Sequence, residues 1–151
     1  MRYETERKLA TRAKALGESA EADALPELLA LTRSESPLAR RLAASAIGKL
    51  AGVADGTPAV AALRPMLGDA HPQVRQYAAK ALGTYGPAAE SALPALRDML
   101  RNPAETDYVK RSVTAAGLAI KTAMELAAHQ RVETCRRCGR TVEPDEFARS
   151  Q

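Results

Sequence analysis

Apolar residues recur along most of the chain at intervals of three and four positions, which is the spacing of one face of an α-helix. Proline and glycine divide this pattern into segments of helix length, and nothing in it predicts a strand. The pattern predicts seven helices, at about 2–17, 22–32, 37–51, 58–67, 72–85, 88–101 and 106–129.

Proline and glycine mark the ends of these predicted helices. Proline, whose missing N–H costs nothing in the first turn, stands at three predicted starts: Pro37, Pro58 and Pro72. Glycine, which can adopt the left-handed conformation that closes a helix, stands at three predicted ends: Gly17, Gly68 and Gly86. The composition agrees, because 32 of the 151 residues are alanine, the best helix former, and tryptophan is absent. Leucine and alanine must therefore fill an all-helical core.

The predicted helices form an internal repeat. The segment LARRLAASAIGKLAG (38–52) aligns with QVRQYAAKALGTYG (73–86) at an offset of 35 residues, with the alanine and glycine columns in register. A third, looser copy, YVKRSVTAAGLAI (108–120), follows after a further 35 residues, and RAKALG (12–17) is a partial copy 31 residues before its counterpart. Helix pairs that are each too small to bury their own apolar faces stack into a solenoid.

The segment GDAHPQVRQYAAKALGTYG (68–86), with its small-residue ladder and D-x-x-x-x-V-R turn, closely resembles the HEAT repeat. The resemblance is to the short bacterial and archaeal form that also occurs in phycobilin lyases, and it covers about residues 5–125. It implies a prokaryotic protein with an all-α fold. We expect an α-solenoid of about three and a half HEAT-like helix pairs in residues 1–129, followed by a short zinc-knuckle-like tail at 130–151.

In HEAT-like proteins the second helix of each pair lines the concave side, and an arginine near its start braces one repeat against the next. The resemblance implies this bracing role for Arg40, Arg75 and Lys110. The outward positions of the second helices form one row of Arg41, Gln76 and Arg111 and another of Ser45, Lys80 and Ala115, and the same face extends to Lys14 and Lys49. We call the following six residues the basic stripe: Lys14, Arg41, Lys49, Gln76, Lys80 and Arg111.

The two rows contain no acidic residue, so the basic stripe could bind an acidic segment of another protein or a phosphate backbone. We expect a non-enzymatic interaction scaffold that binds a partner protein on its concave face. Nucleic-acid binding through the basic stripe and an arginine-rich knuckle is the second hypothesis, and a lyase-like or other cofactor-handling protein is the third. A solvated helix face without a ligand is the alternative to all three, because a net charge of +4 is mild and mixed surfaces are normal.

The sequence gives little support for catalysis or for membrane insertion. His71 stands in a turn and His129 at a predicted helix end, so no nucleophile–base constellation can be read. Tyr77 and Tyr85 follow the core and turn columns and are interpreted as packing residues. No run of 18 apolar residues is present, and two closely spaced cysteines are not a disulfide scaffold, so we expect a cytoplasmic protein.

Cys135 and Cys138, directly before Gly139, have the spacing of half of a zinc site, which normally has four ligands. The run CRRCGR resembles the first half of a bacterial zinc ribbon and implies zinc as a cofactor, although no second C-x-x-C follows. Five interpretations remain open from the sequence. The chain is a fragment of a longer protein, two chains share one zinc ion as a homodimer, His129 and a carboxylate complete a local site, the pair forms a redox disulfide, or the thiols are idle. The candidate carboxylates are Glu143 and Asp145.

Overall fold

The computed structural model describes the backbone of residues 2–137 and the side chains of residues 4–131, and within these residues the chain forms helices and no strand. The helices are α1 (Arg2–Ser19), α2 (Leu25–Leu31), α3 (Pro37–Lys49), α4 (Gly56–Met66), α5 (Pro72–Thr84), α6 (Leu93–Arg101) and α7 (Asp107–Arg137). Short 3-10 segments precede α2 and α6, at Ala22–Ala24 and Gly86–Ala92.

The helices form two layers. The helices α1, α3, α5 and α7 lie side by side in one layer, each in contact with the next. In the other layer, α2, α4 and α6 each pack against the odd-numbered helix that follows in the chain. The predicted all-α fold, a solenoid of stacked helix pairs, is therefore confirmed for the residues described.

Glycine and alanine set the spacing between the odd-numbered helices. A Cβ atom would lie 2.8 Å from Ala46 if placed on Gly17, 3.1 Å from Ala81 if placed on Gly48, and 3.1 Å from Ala116 if placed on Gly83. Each glycine therefore permits a close approach that a side chain would obstruct. The same contact recurs at every junction between odd-numbered helices, which explains why the small-residue columns repeat through the sequence.

The core between the layers is aliphatic, as the composition predicts. Its largest fully buried side chains include Leu28, Ile47, Leu63, Leu82 and Ile120. The paired alanine columns at positions 43–44 and 78–79 are fully buried at the helix contacts. Burial of this aliphatic surface is the main force that holds the repeats together, since neither layer can cover its apolar face alone.

The end of α1 differs from the prediction. Gly17 does not close the helix, which continues to Ser19, and the left-handed residue that follows is Ala20, with a φ of 53°. Gly17 is required inside the helix because it lies against Ala46. A glycine that ends a helix and a glycine that packs against a neighbouring helix look the same in the sequence. Only the packing partner in the structure distinguishes the two roles.

The five other predicted helix boundaries have mixed outcomes. Helix α4 begins at Gly56 rather than at Pro58, because the carboxylate of Asp55 accepts a hydrogen bond from the Thr57 N–H at 3.0 Å and caps the helix earlier. The prediction for Gly86 is confirmed, with a left-handed φ of 57°, whereas Gly68 does not have that conformation. Pro37 and Pro72 are the first residues of α3 and α5, as predicted.

Helix α7 continues to Arg137, although the prediction ended it at His129 and expected turn-like structure next. The reason is local, because neither proline nor glycine occurs between Gly117 and Gly139, so the chain contains no stop signal. The backbone of Cys135 therefore belongs to this helix. Its side chain and the whole of Cys138 lie outside the described residues, as does the rest of the predicted zinc-knuckle tail.

Candidate functional site

Three basic residues were predicted to brace one repeat against the next, and two of them, Arg40 and Arg75, do so. The Arg40 guanidinium donates to both carboxylate oxygens of Asp69, with Nε–Oδ2 at 2.8 Å, and also to the Ser34 carbonyl at 2.8 Å. One repeat later, Arg75 donates to both oxygens of Glu105, at 2.9 and 2.8 Å, and to the Asp69 carbonyl at 2.7 Å. These four residues, Arg40, Asp69, Arg75 and Glu105, are called the arginine ladder below. Lys110 stands at the next position but has no ion pair among the described residues.

The arginine ladder is largely buried, and its electrostatics follow from that burial. Burial alone would raise the pKa of Asp69, but hydrogen bonds from Arg40 and from the His71 backbone N–H hold it below its ordinary value. The pKa of Glu105 is lowered in the same way. Burial would raise this pKa, but hydrogen bonds from Arg75 and Thr106 outweigh that effect. The hydrogen bond to Glu105 in turn raises the pKa of Arg75. The ladder is thus a charged structural network whose groups are already satisfied by one another.

The basic stripe lies on the same helices but is differently placed. Four of its six side chains are exposed: Lys14, Lys49, Lys80 and Arg111. Lys14 lies 3.9 Å from Glu18, whereas the other three have no carboxylate within ion-pair distance among the described residues. Three unneutralised cations thus project from three successive helices of one layer, α3, α5 and α7.

Tyr77 lies between two cations of the basic stripe. Its ring is partly buried against the core, with the Arg41 guanidinium carbon 5.6 Å and the Lys80 ammonium nitrogen 5.3 Å from its centroid. Both distances fall within the range of cation–π attraction. The interpretation of Tyr77 as a packing residue is therefore incomplete, because the same ring also positions two stripe cations. Sequence could show that Tyr77 and Lys80 share a helix face, but not that Arg41 crosses over from the preceding repeat.

The two half-buried members of the stripe make contacts between neighbouring helices. Arg41 donates to the Gln73 side-chain oxygen at 2.9 Å, while its buried Nε has no hydrogen-bond partner. Gln76 donates to the Ser112 hydroxyl at 3.3 Å, which links α5 to α7. These two residues therefore hold helices together as well as lining the surface, and Gln76 is the stripe member least available to a ligand.

Tyr85 is a structural residue, as the sequence interpretation stated. Its hydroxyl donates to the Ile47 carbonyl at 2.6 Å, across the α3–α5 contact. Burial raises the pKa of Tyr85 to about 12, which favours the protonated hydroxyl that donates this hydrogen bond.

Among the concave regions of the described surface, two bear on binding. A depression of about 320 Å³ lies beside the basic stripe and is lined by residues that include Arg41, Leu38, His71 and Tyr108. A groove of about 610 Å³ lies between α2 and α4, in the other layer, and its lining is mostly apolar. In the smaller depression, the Nδ1 atom of His71 lies 3.4 Å from Asp69 and 3.3 Å from Arg40, so this ring nitrogen already contacts the arginine ladder.

Neither a metal-binding cluster nor a membrane-spanning helix occurs in the described part of the chain. There, no group of three or more histidine, cysteine or acidic side chains is placed to hold a metal ion. No helix in that part is both long enough and apolar enough to cross a membrane. The predicted zinc ligands Cys135 and Cys138 fall outside the described side chains, so their role stays a prediction.

Comparison with known proteins agrees with the helix packing. No curated protein matches the chain. A family model does match residues 51–117, which span α4, α5, α6 and the start of α7, and that model describes HEAT repeats. The stacked helix pairs and this match together support HEAT repeats in this protein, a fold that generally serves protein interaction.

Proposed function

We propose that this protein is a non-enzymatic interaction scaffold whose basic stripe binds an acidic, extended segment of a partner protein. The observation that carries the proposal is the set of three exposed cations, Lys49, Lys80 and Arg111, without carboxylate partners among the described residues. The largely buried carboxylates Asp69 and Glu105 neutralise the arginines of the ladder, and the face that carries the basic stripe stays positive. Carboxylates from another molecule would complement it.

The spacing of these cations favours an extended peptide. They project from three helices that lie side by side, and neighbouring helix axes are about 8–10 Å apart. The three cations therefore span about 20 Å. An extended chain advances about 3.3 Å per residue, so acidic residues at about every third position would meet successive cations. A segment of seven to ten residues, a length that follows from those spacings, would cross the stripe.

Tyr77 makes the centre of the stripe more ordered than an ordinary lysine-rich surface. The ring has attractive contacts with Arg41 and Lys80, and Arg41 is also held by Gln73. Side chains that are already restrained lose less conformational entropy when a ligand binds. We therefore place the strongest binding at the Tyr77 position.

The test uses a fluorescein-labelled peptide with glutamate at every third position, separated by glycine and serine, and measures its binding by fluorescence anisotropy. The stripe variant carries Lys49→Glu, Lys80→Glu and Arg111→Glu. The control variant carries Arg64→Glu, Arg97→Glu and Arg101→Glu, which are exposed on α4 and α6 in the other layer and change the net charge equally.

We expect the stripe variant to lose at least about tenfold in affinity, equivalent to about 1.4 kcal/mol, while the control stays within about twofold. Equal losses in both variants would show that only net charge matters and would refute the stripe as a site. A single-stranded 15-nucleotide DNA serves as the competing ligand. Tighter binding of this DNA, with a steep dependence on salt that the stripe variant abolishes, would replace the proposal with the nucleic-acid hypothesis.

A further inference from the structure

The two ends of the helix stack present different surfaces. The outer face of α1, at one end, is covered with exposed polar and charged side chains, among them Glu4, Arg7, Lys8 and Thr11. A polar outer face of this kind is what a terminal helix of a solenoid needs in water. Helix α1 therefore behaves as a finished end of the stack.

Helix α7, at the other end, has an apolar outer face. Leu118 is 67% exposed and Leu126 is 60% exposed, the two highest values among the large hydrophobic side chains described. Exposed small residues continue the same helix face: Ala115, Ala119 and Thr122. The spacing of three and four residues places all five on one stripe about three turns long, which no described residue covers.

This face continues the interface that already joins the repeats. Leu118 lies 35 residues after Gly83, which lies 35 after Gly48, and both glycines receive the next helix of the layer against their bare Cα. Leucine at the third position is too large for that close approach. The end of α7 is therefore shaped to pack against another helix, but at a wider spacing than the spacing within the stack.

We propose that this face is a homodimer interface, in which α7 packs antiparallel against α7 of a second copy of the chain. A two-fold axis between Thr122 and Ala123 places Leu118 of one copy within one residue of the position opposite Leu126 of the other, twice, because a two-fold interface is self-complementary. The small side chains between the leucines allow the two helices to approach.

The charges beside the leucines fit the same register. Lys121 and Glu125 flank the apolar face and have no ion pair within the chain among the described residues. With the axis between Thr122 and Ala123, Lys121 of one copy lies within one residue of the position opposite Glu125 of the other and farther from the second Lys121, so the interface contains two opposite-charge contacts related by the same axis. A parallel pair would instead place each side chain opposite the same residue of the second copy, so that like charges would meet.

The arrangement separates this dimer from a zinc-bridged one. Cys135 lies 13 residues beyond Thr122 on the same helix, about 20 Å along its axis. In the antiparallel pair the backbones of the two Cys135 residues therefore lie at opposite ends, about 40 Å apart, too far for both residues to bind one metal ion. The interface must form without zinc.

The experiment measures the mass of the full chain by sedimentation equilibrium in EDTA, at concentrations of about 5–200 µM, a range suited to a small interface. Leu118→Glu with Leu126→Glu should give a monomer with an unchanged helical circular dichroism spectrum. Val53→Glu with Leu100→Glu, at exposed apolar positions elsewhere, is the matched control and should remain a dimer. Lys121→Glu should weaken the dimer at least about tenfold, and adding Glu125→Lys should restore it.

Three results would overturn the proposal. The wild-type chain stays a monomer throughout the range, or the leucine variant dimerises as well as the control. Alternatively, dimers form only in a parallel run in which zinc replaces EDTA and disappear there in Cys135→Ser, which would place the contact at the cysteines. Rescue by the swapped charge pair is expected only for the antiparallel register, so failed rescue with an intact leucine dependence would refute the stated geometry.

Discussion

The arginine ladder offers the sharpest test of how the repeats are held together. Replacement of Arg75 by methionine keeps the aliphatic stem but removes the guanidinium. Glu105, whose side chain is only 4% exposed, then keeps one close hydrogen bond, from the Thr106 N–H at 2.9 Å, and loses both bonds from Arg75. The Asp69 carbonyl also loses its bond of 2.7 Å.

The magnitude follows from the burial of the pair. Removal of one partner from a buried ion pair costs about 3–5 kcal/mol, because the remaining charge is left without compensation. Arg75 is 17% exposed, so water can partly solvate the vacated space, and we expect the lower end, about 3 kcal/mol. This is a large share of the roughly 5–15 kcal/mol that stabilises a typical domain.

Helix α1 supplies a matched control. Arg12 and Glu27 form an ion pair with the same bidentate geometry and a distance of 2.7 Å, but their side chains are 58% and 45% exposed. Surface pairs contribute little because water screens them and ordering two long side chains is unfavourable. Arg12→Met should therefore change stability far less than Arg75→Met, although the bond lengths are nearly equal.

Urea unfolding followed by circular dichroism at 222 nm measures both variants. The double variant Arg75→Met with Glu105→Met should be more stable than the sum of the single losses predicts, with a coupling energy of about 2 kcal/mol. If Arg75→Met and Arg12→Met have equal unfolding midpoints, or if the cycle shows no coupling, the ladder does not brace the repeats and burial is the wrong criterion.

Three further predictions concern glycine, pH and zinc. Gly83→Ala should destabilise the protein by about 1 kcal/mol, because the added Cβ would lie 3.1 Å from the Ala116 backbone. Gly117→Ala, whose Cβ would have no neighbour within 4 Å, should stabilise the protein by about 0.5–1 kcal/mol. Urea unfolding measures both variants. The lowered pKa values of the two ladder carboxylates predict stability that is present above their ordinary values of 3.8 and 4.5 and is lost as pH falls through the lower folded values; a chain equally stable at pH 3 and pH 7 would contradict this. Zinc titration should show weak binding, since Cys135 and Cys138 supply two ligands per chain, and the doubly serine-substituted chain should bind less; tight binding of one zinc ion per chain would instead mean that nearby residues complete the site.

The repeat could be predicted from the sequence because its physical cause is local. Alanine and glycine at a 35-residue offset are visible in one dimension, and each marks a position where two helices approach closely. The resemblance to the HEAT repeat implied the bracing role of Arg40 and Arg75, and the structure places each of them against a largely buried carboxylate about 30 residues later in the chain. Gly17, in the partial first copy of the repeat, was also aligned correctly, although it was wrongly predicted to end helix α1.

What the sequence could not show are contacts that depend on side-chain direction across a repeat boundary. Arg41 and Tyr77 are 36 residues apart, and their contact follows from how α3 lies on α5. Gln76 was placed on the ligand-binding face because it occupies the same outward position of its repeat as Arg41 and Arg111, yet its amide donates to Ser112. The length of α7 was underestimated because rising polarity was interpreted as a boundary, whereas polar residues are compatible with a helix until a glycine or proline stops it.

Adjacent arginines at the start of α3 show how one repeat separates stability from binding. Successive helical residues point about 100° apart, so Arg40 turns toward the junction between repeats and meets Asp69, while Arg41 turns toward the layer surface. Arg41 and Lys80 then share the ring of Tyr77 without a carboxylate nearby among the described residues. Two like charges held this close are unfavourable to folding, and the ring offsets only part of that repulsion. A carboxylate from a partner would offset the remaining repulsion between the two cations. The unneutralised charge that slightly destabilises the isolated fold therefore favours binding of an acidic ligand at this face.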